Sequence, residues 1–148
     1  MIAIASDHGG YELKRGVIEY LKEKGIEYKD FGCYNTNSCD YPDIALEACK
    51  SVIKGECEKA LLFCGTGIGI SIAANKVAGI RAACCSDIFS AKFTRLHNDA
   101  NVLCLGGRVV GIGLALELVE TFLNTEFEGG RHTKRIEKII AIENMKNL

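Results

Sequence analysis

KALLFCGTGIGIS, residues 59–71, is the stretch that decides the fold. Lys59 to Cys64 is apolar enough to be a central strand, covered on both faces of a parallel sheet. Gly65-Thr66-Gly67-Ile68-Gly69 then turns the chain toward a short helix predicted around Ser71 to Asn75. A buried strand that feeds a glycine-rich turn and then a helix is the building step of an α/β domain.

The same alternation extends in both directions. Upstream, Ile2 to Ser6 reads as a strand, and Tyr11 to Lys24 carries Leu13, Val17, Tyr20 and Leu21 at helical spacing before Gly25 stops it. Glu27 to Phe31 fits a second strand. The polar run from Gly32 to Tyr41 is the longest loop, and Pro42 opens a helix that ends near Lys54 and Gly55. Downstream, Arg81 to Cys85 and Asn101 to Leu105 read as strands, separated by a helix from Asp87 to Leu96 with Asp87 as its cap. Helices from about Gly111 to Asn124 and from about Thr133 to Asn147 complete the pattern. The expectation is one doubly wound α/β domain over residues 1–148.

Composition narrows the function classes. Hydrophobic residues at 48% and charged residues at 25% argue against disorder. Eighteen basic side chains against nineteen acidic ones leave a formal charge of −1, so no global field grips nucleic acid or a membrane surface, and any anion site must be local. No apolar run approaches a membrane span, and MIAIASDHGG reads as a strand rather than an export signal. A soluble, cytoplasmic protein is expected. The eight cysteines form no C-x-x-C pair, and with His8, His97 and His132 they lack the spacing of a structural zinc site. Most should be small buried hydrophobes, and only Cys64 sits where chemistry is expected.

Ligands of such sheets bind beyond the carboxyl ends of the strands. Three loops qualify: Ser6-Asp7-His8-Gly9-Gly10, Cys64 to Gly69, and Gly106-Gly107-Arg108. The central loop is neither a dinucleotide fingerprint, which needs glycine where Ile70 stands, nor a P-loop, which needs Gly-Lys-Ser/Thr. A Cys-x5-Arg phosphatase would also need arginine at Ile70. What remains is a thiol ahead of a helix N-terminus, where a thiolate is favoured, beside amides that can hold an oxyanion. That pairing suits removal of a proton from carbon next to a carbonyl, with the Thr66 hydroxyl able to share a proton. The bland alternative is one more inert buried cysteine. Asp7 and His8 form a plausible substrate grip, or merely a turn.

Basic residues supply the other half. In GGRHTKR, Arg131 and Arg135 share a helix face at the start of the last helix, where positive charge opposes the dipole. Such placement suggests an anion that completes the site, and paired arginines suit phosphate. Arg108 reads the same way. His97 and Asn98 fall between the fourth helix and the fifth strand, at the opposite edge of the sheet from Cys64. If His97 serves the same site, it comes from another subunit; otherwise it is a loop histidine without a task.

Taken together, SDHGG, DYPD, CGTGIGISIAANK, GIRAA, RLHNDANVLCLGGRVVG and EGGRHTKR resemble ribose-5-phosphate isomerase type B, in a family that includes allose-6-phosphate and galactose-6-phosphate isomerases. The resemblance runs in order along essentially the whole chain. It implies a three-layer α/β/α sandwich with a Rossmann-like five-stranded parallel sheet, and an aldose–ketose isomerase that passes through a cis-enediolate. It makes Cys64 the base and His97 the ring-opening acid/base. Asp7, His8, Gly65, Thr66, Gly67, Ile68, Gly69, Asn98, Arg108, Arg131 and Arg135 become substrate contacts. It implies no metal or organic cofactor. Besides the sugar phosphate, the expected partner is a second copy of the chain, in a homodimer or dimer of dimers with shared sites. The residues leave open a six-carbon aldose 6-phosphate as substrate, or a non-catalytic phosphosugar-binding module.

Overall fold

The structure, a computed structural model, describes residues 1–145. Its elements alternate as β1 (Ile2–Ser6), α1 (Tyr11–Glu23), β2 (Tyr28–Asp30), α2 (Tyr41–Ile53), β3 (Lys59–Cys64), α3 (Ile68–Ala74), β4 (Ala82–Cys84), α4 (Ile88–Asn98), β5 (Val102–Gly106), α5 (Ile112–Asn124) and α6 (Arg131–Glu143). The strands form one parallel sheet in the order β2-β1-β3-β5-β4. Every residue of β1, β3 and β5 is buried, as their apolar runs require.

Alternate side chains of these strands enter two separate cores. Ile2, Ile4, Leu61, Phe63, Leu103 and Leu105 meet α1 and α5 through Leu13, Val17, Leu21, Leu118 and Phe122. On the other face Ala3, Ala5, Ala60, Leu62, Cys64 and Cys104 meet α2 and α3 through Ala45, Ala48, Cys49, Ile70 and Ala74. The alanines on that face let α2 lie close to the sheet. Large side chains fill the first face, and each one fully buried there contributes about 1.5–3 kcal/mol. The result is the expected three-layer α/β/α sandwich.

Several boundaries differ from the sequence reading. Gly67, with φ +79, is the N-cap of α3, so that helix begins at Ile68 and not at Ser71. The fourth helix runs past Leu96 and takes in His97 and Asn98, which were expected in a loop. It stops at Asp99, in the left-handed region at φ 46. Arg95 holds this stop, bonding the Asp99 carboxylate at 2.9 Å and the Ala100 carbonyl at 2.6 Å. From just ahead of β4, Arg81 reaches the Asn98 carbonyl at 2.9 Å. The last helix begins at Arg131, earlier than Thr133, and closes at Asn144; the expected stretch through Asn147 runs on outside the described residues. Among the described residues, no helix is long and apolar enough to cross a membrane.

Candidate active site

Three loops at the carboxyl edge of the sheet touch backbone to backbone, and glycine makes the approach possible. A Cβ on Gly10 would stand 2.4 Å from the Phe63 carbonyl carbon, one on Gly106 2.6 Å from that of Thr66, and one on Gly107 2.5 Å from the Gly9 oxygen. Hydrogen bonds lock the same contacts: the Gly107 amide donates to Cys64 O at 2.8 Å, and the Arg108 amide to Gly65 O at 2.9 Å. The loops read from the sequence as ligand-facing therefore form one continuous rim.

Cys64 ends β3 at 4% exposure, and its Sγ accepts the Gly67 amide at 3.0 Å. Thr66 is exposed, and its Oγ1 accepts the Ile68 amide at 3.2 Å. Two of the loop amides expected to face an oxyanion, those of Gly67 and Ile68, are thus already engaged within the loop. The first-turn amides of Gly69 and Ile70 are free by the geometry of a helix start, because the first intrahelical bond runs from the Ser71 amide to Gly67 O. Asp7 is buried, and its Oδ1 accepts the Gly9 and Gly10 amides at 2.8 and 3.1 Å, so one of its oxygens shapes the turn. His8 is exposed and accepts the Cys39 amide at 3.4 Å through Nδ1. The Arg108 guanidinium lies over Gly65, whose Cβ would be 3.3 Å from it.

Two neighbours of this rim escaped the sequence reading. Tyr41, at the start of α2, fills the space beside Gly69, where a Cβ would meet its ring at 2.9 Å. Cys84, at the end of β4, is exposed, and its Sγ would be 3.0 Å from a Cβ on Gly67. The rule that loops at strand carboxyl ends face the ligand covers both positions, since DYPD and the end of β4 meet that edge. Burial, and then Cys64, push the Cys84 thiol up. Burial alone pushes Cys49 to about 12. Burial also lifts Cys85 to about 11 and Cys104 well above the usual thiol range. The thiols packed around Cys64 are thus held protonated at neutral pH.

The opposite, amino edge carries the remaining candidates. The imidazole of His97 stacks on that of His132 with centroids 4.0 Å apart, and Phe93 meets its edge at 4.9 Å. Arg131 and Arg135 are exposed on the first turns of α6, beside His132. Burial pushes the His132 imidazole down, and His97 and Arg131 act in the same direction. Glu128 approaches both histidines, at 3.6 Å from His97 and 3.8 Å from His132. Within one chain, then, His97, Asn98, Arg131 and Arg135 stand together, apart from Cys64, Thr66, Asp7, His8 and Arg108. β5 and its turn put Arg108 on the carboxyl edge, while α6 carries Arg131 and Arg135 to the other, where it docks on α4.

A doubly wound sheet with a thiol among the loops at its carboxyl edge and a separate cluster of arginine and imidazole groups has the layout of an α/β enzyme that acts on a small molecule. Residues 2–139 match the Ribose/Galactose Isomerase family model, and the chain belongs to that family. Ribose-5-phosphate isomerase B of Escherichia coli is 48% identical over 99% of this chain and 98% of its own. The structure of ribose-5-phosphate isomerase B from Clostridium thermocellum superposes with a TM-score of 0.95 at 55% identity, over 96% of both chains. The Mycoplasma genitalium ribose-5-phosphate isomerase B, solved with bound ribulose 5-phosphate, gives a TM-score of 0.93 at 42% identity and covers 98% of this chain and 97% of that one.

Proposed function

We propose that the chain interconverts ribose 5-phosphate and ribulose 5-phosphate, with each site assembled from two copies. Arg131 and Arg135 of one copy take the phosphate, and His97 beside them opens the furanose to the free aldehyde. Cys64 of the other copy removes the C2 proton. The first-turn amides, the Thr66 hydroxyl and Arg108 hold the charge of the cis-enediolate, and return of the proton to C1 gives the ketose. Asp7, His8 and Asn98 line the sugar's path. Phosphate binding remote from the reacting carbons supplies the positioning. Eight free thiols suit a reducing, cytoplasmic setting.

The observation that carries the reading is Cys64, seated under the Gly67 amide in a chain of this family. Pairing of copies draws support from α4. Phe89, Phe93 and His97 repeat every four residues along its outer face, and Phe89 is 69% exposed. A groove lined by Cys84, Cys85, Phe89, Phe93 and His97 connects the two edges along this helix. Eleven residues of helix span about 16 Å, the height of the sheet. Two such helices packed antiparallel about a twofold bring each His97 to the other copy's Cys84 end, close to its Cys64.

The test combines activity and complementation. Purified protein is assayed on ribose 5-phosphate, with allose 6-phosphate as the six-carbon comparison. Cys64→Ala should abolish turnover yet still bind the sugar phosphate; near-normal turnover would remove Cys64 as the base, and no turnover by the unsubstituted protein would leave only a phosphosugar-binding module. Mixing Cys64→Ala with His97→Ala under verified subunit exchange should restore activity, because a heterodimer holds one site with neither defect. Absence of recovery would mean that both residues act from one chain.

A further inference from the structure

The amino-edge cluster contains more ligand chemistry than phosphate binding uses. Each of His97, Glu128 and His132 offers a donor atom, and the three atoms lie within 4.8 Å of one another. His132 is only 3% exposed, and its Nε2 is fully buried without a hydrogen-bond partner. Glu128 Oε2 stands in front of that nitrogen at 3.8 Å and of His97 Nε2 at 3.6 Å. A buried imidazole nitrogen aimed at a carboxylate just out of hydrogen-bond range is a donor in need of an acceptor pair or an ion.

The separations suit an ion. Tetrahedral zinc with nitrogen and oxygen ligands at its ordinary bond lengths places neighbouring donors roughly 3.3–3.4 Å apart. The two carboxylate–imidazole distances exceed that by a few tenths of an ångström; the two rings lie stacked at 13°, so ligation requires the partly exposed His97 ring to rotate out of the stack and turn its Nε2 lone pair toward the centre. The backbone holds the frame: the Glu128 amide donates to Leu96 O at 3.1 Å, and the His132 amide to Gly129 O at 3.1 Å. Two imidazoles and one carboxylate are a set for zinc and its late first-row neighbours, and not for magnesium or calcium. Arg131 and Arg135 oppose the added charge and favour an anion or water in the fourth position.

We propose that His97, Glu128 and His132 form a binding site for a zinc-class divalent ion, and that its occupancy inhibits the enzyme by occupying the His97 nitrogen. The inhibitory half rests on the function proposed above; the site itself does not. Chelator-treated protein in phosphate-free buffer is titrated with Co2+ by calorimetry and visible absorption. One ion per chain is expected, with ligand-field bands and no thiolate-to-cobalt charge transfer, which separates this site from the cysteines. Glu128→Gln, at an exposed position, should weaken Kd at least tenfold, about the loss that even an outer-sphere partner's removal causes. His132→Ala should abolish binding; if that buried change prevents folding, Glu128→Gln alone decides. Absence of binding, equal affinity in Glu128→Gln, or a thiolate charge-transfer band would overturn the site. In the isomerase assay, Zn2+ should inhibit the unsubstituted protein, reversibly on chelation, and inhibit Glu128→Gln much less. Cobalt bound as described without inhibition would uphold the site and remove His97 from ring opening.

Discussion

Replacing Gly67 with alanine tests whether backbone geometry holds the thiol in place. Gly67 has φ +79, and a Cβ there would lie 2.9 Å from the Leu105 carbonyl carbon, 3.0 Å from Cys84 Sγ and 3.0 Å from the Gly106 amide. Gly25 has a similar φ of +66 with nothing within 4 Å, so Gly25→Ala measures the left-handed strain without the overlap. That strain costs about 1–2 kcal/mol. The loss of unfolded-chain freedom offsets about 0.4–1 kcal/mol of it, in both variants. Gly67→Ala adds overpacking against two backbone atoms, about 1–3 kcal/mol more. At about 2–4 °C per kcal/mol for a chain of this size, Gly67→Ala should melt roughly 2–12 °C below Gly25→Ala. Thermal melts at one fixed protein concentration read the difference directly. Activity should fall in Gly67→Ala alone, because its amide is the donor to Cys64. Coincident melting temperatures with full activity in both variants would refute the idea that this turn is closed to a side chain.

Arg131→Ala and Arg135→Ala should each lose about 1.5–3 kcal/mol of substrate binding, roughly 10- to 150-fold in KM or kcat/KM, whereas Lys134→Ala changes little. Steady-state kinetics on the three variants check this, and unchanged constants in both arginine variants would make the cluster a solvated surface. Cys49, Cys85 and Cys104, with thiols raised to about 12, about 11 and well above the ordinary range, stay protonated at pH 8 and should escape iodoacetamide in the native protein. Peptide mapping by mass spectrometry reads their modification, and labelling of any of them at the rate of a free thiol would contradict the packing around β3.

Much of this architecture is legible along the chain because it is local. The apolar run of β3, the cap at Asp87 and the proline opening α2 each announce themselves within a few residues. Asp87 indeed accepts the Ser90 amide at 2.7 Å. The misplaced boundaries have tertiary causes. The α4 terminus extends past Leu96 because Arg81, just ahead of β4, and the buried Arg95 hold the carbonyls and carboxylate that end it. The early start of α3 depends on Gly67 acting as a cap, a role that a glycine-rich string disguises as loop. The sheet order follows from pairing between distant strands and has no local signature. In the candidate site the split between two edges followed from strand direction, as His97 illustrates. The stacking of His132 under His97, and the approach of Glu128 to both, depend on how α6 docks against α4, which no spacing encodes.

The welded glycine rim also constrains how this catalytic edge can change over evolutionary time. Single substitutions at Gly10, Gly106 and Gly107 would drive a side chain into neighbouring backbone, which has nowhere to retreat. Variation at those positions is closed off, so the backbone around Cys64 is inherited nearly intact by any descendant that still folds. A change in preferred sugar length must therefore arise elsewhere, in the 33–40 loop beside His8 or among the exposed residues of α6.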